Sequence, residues 1–459
     1  MSVAIKRDKY SLDMTTGNLF KKILIYSIPI MLTGFLQLLY NAADVVVVGK
    51  FAGTNALAAV GSTGSLIGLV ANLFMGLSVG ASVAFARSIG MNDHKRANKV
   101  VHTAVLLSLI SGLVLTIFGV IFAKQFLIWM NSPKNVINLA TDYVRIYFAG
   151  ITFNLLYNYA ASVVRANGDT KRPLVILFLS GILNVGLNLI FVIFFKMSAA
   201  GVALATIISQ AMSAFLIMML LIKERGPLSF SFKKLKIDKD VLKEMILIGL
   251  PSGIQSSLFS VSNVIIQKSI NGFGETAMAG NAAAGNIEGF VYTAMNSIYQ
   301  ATLNFTSQNY GAKKFKNTRK ILWYSLLLVF IVGEGLGVSV FLLGRFFVGI
   351  YSSDASVIDI GMIKLGYCCA LYGLFGLSEI VVGALRGLGQ SFLPMVVSLL
   401  GICVFRIVWI ETAFKQNKTL VNIYISYPIS WILTFVFQFI IYWFFSSKIK
   451  EKMLIDAKV

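Results

Sequence analysis

The chain has 459 residues, of which 57% are hydrophobic and only 13% charged, and its formal net charge is +21. A soluble globular chain carries about 25% charged residues, so the composition excludes a water-exposed globular fold and indicates a polytopic membrane protein. Nucleic acid is excluded as a partner by where the charge sits: 29 of the 40 Lys and Arg lie in alternate gaps between apolar runs and in the tails, eight lie in the other gaps, and Arg145, Lys364 and Arg406 lie inside the runs.

This positive-inside bias places both termini in the cytoplasm of a plasma-membrane protein and requires an even number of spans. Met1–Lys22 is basic with no apolar core before Leu19, so no cleavable leader is expected. Twelve apolar segments are predicted. The first six cover residues 20–48, 54–84, 99–123, 135–164, 173–195 and 199–222; the second six cover 243–270, 276–305, 320–343, 356–385, 392–412 and 421–446.

The first segment carries two residues that cost something in a membrane helix. Pro29 removes a backbone donor and predicts a hinge. Asp44 places a carboxyl where a central charge costs about 2.5–3.5 kcal/mol. Thr33, Gln37, Asn41 and Asp44 share one helical face, so the stripe reads as a lining that ends in an acid. Farther along, Asn154 and Asn158 are one turn apart in the fourth segment, and Asn184 and Asn188 one turn apart in the fifth. They are the predicted partners of Asp44 in a cation-coupling pocket.

Residues 223–240 form the longest polar gap and read as a cytoplasmic linker between two halves. The halves repeat. Arg165-Ala-Asn-Gly-Asp-Thr-Lys-Arg-Pro173 and Arg386-Gly-Leu-Gly-Gln-Ser-Phe-Leu-Pro394 keep one offset of 221, as do Ser88-Ile-Gly90 and Asn309-Tyr-Gly311, and Pro29 and Pro251 differ by 222. Six spans per half is even, so the repeats share one orientation. The predicted fold is an all-α integral membrane protein of twelve transmembrane helices, in two six-helix lobes related by a pseudo-twofold along the membrane normal. Its parts are a tail at 1–16, an N-lobe at 17–222, the linker at 223–240, a C-lobe at 241–446 and a tail at 447–459. Gly168 and Gly389 are expected to take a left-handed backbone after the helices closed by Arg165 and Arg386.

The acids break the repeat. Asp44 corresponds to Ile266, Glu288 to Ile67 and Glu379 to Asn158. In the second half Glu288, Tyr292, Asn296, Gln300 and Asn304 step by four along the eighth segment, where the second segment is apolar. Gln255, Asn263 and Glu379 are expected to face this line as a second polar or substrate-binding site, with Arg406 as counter-charge to a carboxylate. Cys368, Cys369 and Cys403 read as small buried residues rather than metal ligands, and His94 and His102 as solvated residues near a loop. No phosphate-binding loop and no nucleophile–His–acid set is present, so neither an enzyme, nor a metal site, nor hydrolysis-driven transport is expected.

The segments RANGDTKRP (165–173), ALRGLGQSFLP (384–394), AAGNIEGF (283–290) and QNYGA (308–312) resemble those of multidrug and toxic compound extrusion (MATE) transporters, in their DNA-damage-inducible branch. The resemblance runs from about Thr16 to Ser447. It implies two lobes in a V with a central cavity, and secondary antiport by a single chain: amphipathic, often cationic organic compounds leave as protons or sodium ions enter, with no bound cofactor. It implies that Asp44 is the coupling acid, Pro29 the place where its helix bends, and Asn154, Asn158 and Asn184 the rest of that site. Two positions depart from relatives: Asn188 stands where many have Asp, and Gln255 where another branch has an acid. The expected reading is a proton-coupled exporter; the alternatives are a sodium-coupled one or a lipid-linked oligosaccharide flippase of the same superfamily.

Overall fold

The computed structural model describes residues 11–130, 132 and 136–456. The outer parts of both expected tails, and Lys134 of the basic-residue pattern, lie outside the described residues. The described chain is helical and holds no strand. Helix α1 is Leu19–Phe51, α2 Thr54–Gly90, α3 His94–Trp129, α4 Ile137–Ala149, α5 Ile151–Ala166, α6 Lys171–Leu189 and α7 Ser198–Lys223. Beyond the linker come α8 Lys239–Asn271, α9 Glu275–Gly311, α10 Phe315–Leu342, α11 Gly344–Gly349 and α12 Ala355–Lys364. The last five are α13 Tyr372–Gly387, α14 Phe392–Ser398, α15 Phe405–Glu411, α16 Ala413–Gln416 and α17 Leu420–Asp456.

Nine helices among the described residues are long and apolar enough to cross a membrane, and α12 with α13 makes a tenth, bent by 40°. The other two predicted segments are helical as well. The fourth is split into α4 and α5 at Gly150, and the eighth is the polar α9.

The chain divides into two compact units. The first is built on Ile28–Ser257, with the end of the N-terminal segment up to Met14 and with Gly311–Lys313. The second is built on Thr15–Ser27, Leu258–Tyr310 and the chain from Lys314 onward. The division cuts α1 one residue before Pro29, and it leaves the linker and the first half of α8 in the first unit.

The repeat is visible in the loops. Asn92 and Lys313, 221 apart, both take a left-handed backbone, with φ of 57° and 56°. The next amide turns back in each case: Asp93 N–H donates to Ser88 O at 3.0 Å and Lys314 N–H to Asn309 O at 2.8 Å. Gly168 (φ 100°) and Gly389 (φ 90°) close their helices as expected, each donating to the carbonyl three residues back, Arg165 or Arg386, at 2.8 Å. At Gly168 a methyl group would also stand 2.5 Å from the backbone of Leu12. Gly168→Ala is therefore expected to cost about 1–3 kcal/mol, and a wild-type melting midpoint in detergent would contradict this.

The helices pack as membrane helices do, with small residues inward and large apolar ones outward. In α3, Ile110, Leu113, Val114, Ile117, Phe118, Ile121 and Phe122 are exposed, while Ser108, Ser111, Gly112 and Gly119 are buried. A Cβ on Gly112 would lie 2.6 Å from Thr152 Cα, so only glycine permits this approach to α5.

The linker is fastened to α3 through a residue expected to be solvated. His102 is 3% exposed. Its Nδ1 lies 2.9 Å from Asn98 O, its Nε2 accepts from Ser231 N–H at 3.2 Å, and its ring stacks on Phe230. The Nδ1 contact fixes the proton there and leaves Nε2 as acceptor. Asn98 donates to Ser229 O at 2.7 Å, and Lys99 pairs with Asp238 at 2.8 Å. That hydrogen bond holds the Asp238 carboxyl below the usual carboxylate range. The isolated sequence hides this role because a folded linker, rather than a neighbour in the chain, supplies the donor to Nε2.

Candidate functional site

In the first unit, α1, α6 and α7 bring polar groups to one carboxyl. Gly181 lets the ring of Tyr40 lie directly against α6, where a Cβ would overlap the ring, and Tyr40 hydroxyl donates to Phe178 O at 3.3 Å. One turn farther along α1, Asp44 accepts a hydrogen bond from Asn188 Nδ2. The same Nδ2 lies 3.3 Å from Asn184 Oδ1. Asn184 and Asn188 are one turn apart and both buried, the latter completely. Asn188 Oδ1 is buried and has no hydrogen-bond partner. The Thr206 hydroxyl of α7 also lies against the acid. Among the described residues no basic side chain pairs with it.

The predicted pocket is thus reached in part. Asn154 and Asn158 lie on α5, where Asn158 Nδ2 donates to Asn154 O at 2.8 Å and to Asn154 Oδ1 at 3.2 Å; no hydrogen bond ties them to Asp44. Of the α1 stripe, Thr33 is buried and donates to Pro29 O at 2.7 Å, while Gln37 and Asn41 are exposed. Thr206 is a member that reading along the chain misses, since it sits in an apolar run.

In the second unit the polar line of α9 divides between two places. Glu288 is engaged: Lys364 Nζ lies 3.3 Å from its Oε2 and 3.3 Å from Asn281 O. Asn281 in turn accepts from Tyr424 hydroxyl at 3.2 Å and donates to Gln267 at 2.7 Å. One turn along, Tyr292, Met295, Asn296 and Tyr299 of α9 line a small cavity with Phe375, Gly376 and Glu379 of α13. Glu379 Oε1 is buried there without a hydrogen-bond partner. Gln300 is half-buried outside the cavity lining.

One expectation is corrected. Arg406 does not answer Glu379: its Nε donates to Ser430 Oγ at 3.0 Å, and its guanidinium lies 3.9 Å from the centre of the Tyr427 ring. The cation of α13 is Arg386, whose Nη1 donates to Tyr299 hydroxyl at 2.6 Å. Gln255 is buried, in the part of α8 that clusters with the first unit. Asn263 is exposed.

Comparison with known proteins gives one result throughout. The MatE family profile matches residues 29–190 and 251–410, the two halves of the repeat. The chain is 25% identical over 445 residues to the probable multidrug resistance protein YoeA of Bacillus subtilis, covering 95% of this chain and 96% of that one. It is 21% identical to the multidrug export protein MepA of Staphylococcus aureus, over 86% and 87% of the two chains. Among solved structures, an outward-facing multidrug resistance MATE transporter of the MOP superfamily superposes with a TM-score of 0.90 at 23% identity, over 97% of this chain and 100% of that one. A MOP superfamily transporter from Pyrococcus furiosus does so with 0.90 at 23% identity, over 97% and 99%. With both halves of the repeat matched by one profile, the chain belongs to the MatE family of multidrug and toxic compound extrusion (MATE) transporters and is a multi-pass membrane protein.

Proposed function

We propose that the chain is a secondary active multidrug exporter of the plasma membrane, with both termini cytoplasmic, in which Asp44 takes up a proton as an amphipathic organic cation leaves. The carrying observation is the Asp44–Asn188 contact without a basic partner. A half-buried carboxylate held by a fully buried amide and lacking a counter-charge bears a desolvation cost that one proton removes. A protonated carboxyl is also a donor, and Asn188 Oδ1 is the unmatched acceptor beside it. Asn188 turns its Nδ2 donor, not an oxygen, to the carboxyl, whereas a bound metal cation would call for oxygens facing it. Pro29 lacks the N–H that would lock its turn of α1, so the helix carrying Asp44 has a place to bend. The rings of Tyr292, Tyr299 and Phe375 and the Glu379 carboxyl offer the chemistry that attracts an organic cation, around a space of about one water that has to widen to admit one. The names of YoeA and MepA as multidrug proteins support the substrate class.

The test is dye efflux from liposomes carrying the purified protein, under an imposed proton gradient and then a sodium gradient. Wild type is expected to respond to protons, and Asp44→Asn to fold but lose gradient-driven flux by about 100-fold or more, as when a transport step loses several kcal/mol of driving interaction. Sodium-driven flux, or flux that survives in Asp44→Asn, would overturn the assignment.

A further inference from the structure

The second unit buries two cations, Lys364 and Arg406, and Arg406 lies against the ring of Tyr427. Lys364 is satisfied by Glu288 and by Asn281 O. Arg406 is not. It is 4% exposed, and its only hydrogen bond among the described residues is the one from Nε to Ser430. Its Nη2 is buried without a partner, and its flat face is covered by Tyr427 and, at 5.8 Å, by Trp431. Tyr427 is half-buried, and its hydroxyl makes no hydrogen bond among the described residues. A guanidinium held in place by Ser430 and two rings, with free N–H groups, beside a phenol with a free O–H, is a set of donors awaiting an acceptor. An uncompensated buried cation is costly, and an anion is the ligand that relieves it.

We propose that Arg406 and Tyr427 form an anion subsite in the second unit, taking a carboxylate of a transported compound or a small inorganic anion. It rests on the reading of the chain as an exporter only for its use in transport; the binding itself does not depend on that reading. With an acid-and-ring cavity on α9 and α13 and an anion subsite on α15 and α17, the second unit has recognition for both ends of a zwitterionic amphiphile.

The experiment titrates the purified full chain in detergent with benzoate and, separately, with chloride, in a low-salt zwitterionic buffer without other added anions, following tryptophan fluorescence, since Trp431 lies beside the guanidinium. Saturable binding is expected for wild type, about tenfold weaker in Arg406→Gln and several-fold weaker in Tyr427→Phe, as loss of a charged and a neutral hydrogen bond implies. Tyr427→Phe removes one oxygen only and decides the matter where Arg406→Gln does not fold. Asp44→Asn is expected to bind as wild type does, even where it has lost gradient-driven efflux, so failure of the exporter reading leaves this result standing. Binding of benzoate alone identifies a compound's carboxylate as the ligand, and competition by chloride identifies a free anion. No saturable binding of either probe, or equal binding in wild type and Tyr427→Phe, would overturn the proposal.

Discussion

Lys364→Met is expected to remove about 3–5 kcal/mol of stability, the cost of stranding one member of a buried ion pair. Lys364 and Glu288 side chains are 10% and 14% exposed, and their charged atoms are 3.3 Å apart. Methionine fills much of the same volume, so the loss comes from the carboxylate that is left behind. The same substitution also removes the donor to Asn281 O, one link in the chain that runs on to Tyr424 and Gln267. Glu288→Gln is the milder partner, because it keeps an acceptor for the ammonium. The double variant Lys364→Met/Glu288→Gln is then expected to be more stable than Lys364→Met alone. Melting midpoints for the four proteins of this cycle check it. Costs that simply add would mean the pair contributes no coupling and that Lys364 acts through packing only.

Much of this fold was legible from the chain, for reasons specific to membranes. Every backbone polar group must be satisfied inside a span, so long apolar runs have one outcome. The repeat was legible because its loops need particular residues: the offset of 221 ties Gly168 to Gly389, and both take the left-handed backbone that favours glycine. Asp44 with Asn184 and Asn188 was legible because polar residues spaced by four share a face, and the face of α6 turns toward α1. The partner of Glu288 was not. Lys364 lies 76 positions away in an apolar run, and nothing local distinguishes it from Arg406, which was the expected counter-charge. Charges pair through tertiary proximity, which spacing along the chain does not disclose. His102 reads as solvated because its burial depends on how the linker folds back over α3.

Gly76→Val and Gly253→Val are each expected to cost about 3 kcal/mol or more, at the upper end of overpacking effects. Four glycines set the approach of α2 to the first half of α8, both within the first unit. A Cβ on Gly76 would overlap the backbone of Gly253 and lie 2.7 Å from Gly249 O; one on Gly249 would lie 2.6 Å from Leu77 Cα; those on Gly253 and Gly80 would overlap the carbonyls of Leu73 and Met245. The obstacle is backbone in every case, so no rotamer change relieves it and the helices must move apart. Small residues at such crossings replace the hydrophobic driving force that lipid denies to helix association. The internal control is on the same helix: Gly61, Gly64 and Gly68 have open space around a Cβ, and Gly68→Ala is expected to be neutral or to gain up to about 1 kcal/mol from helix propensity. Melting in detergent separates the two classes. A Gly76→Val protein as stable as Gly68→Ala would mean that α2 and α8 do not hold this close approach. The expected contrast would instead make their backbone contact a principal fastening of the unit that carries Asp44. A variant that still folds, with α2 and α8 forced apart, should then also lose efflux, because Tyr159 of α5 donates to Phe74 O of α2 at 2.7 Å and so ties α2 to the helices behind the acid.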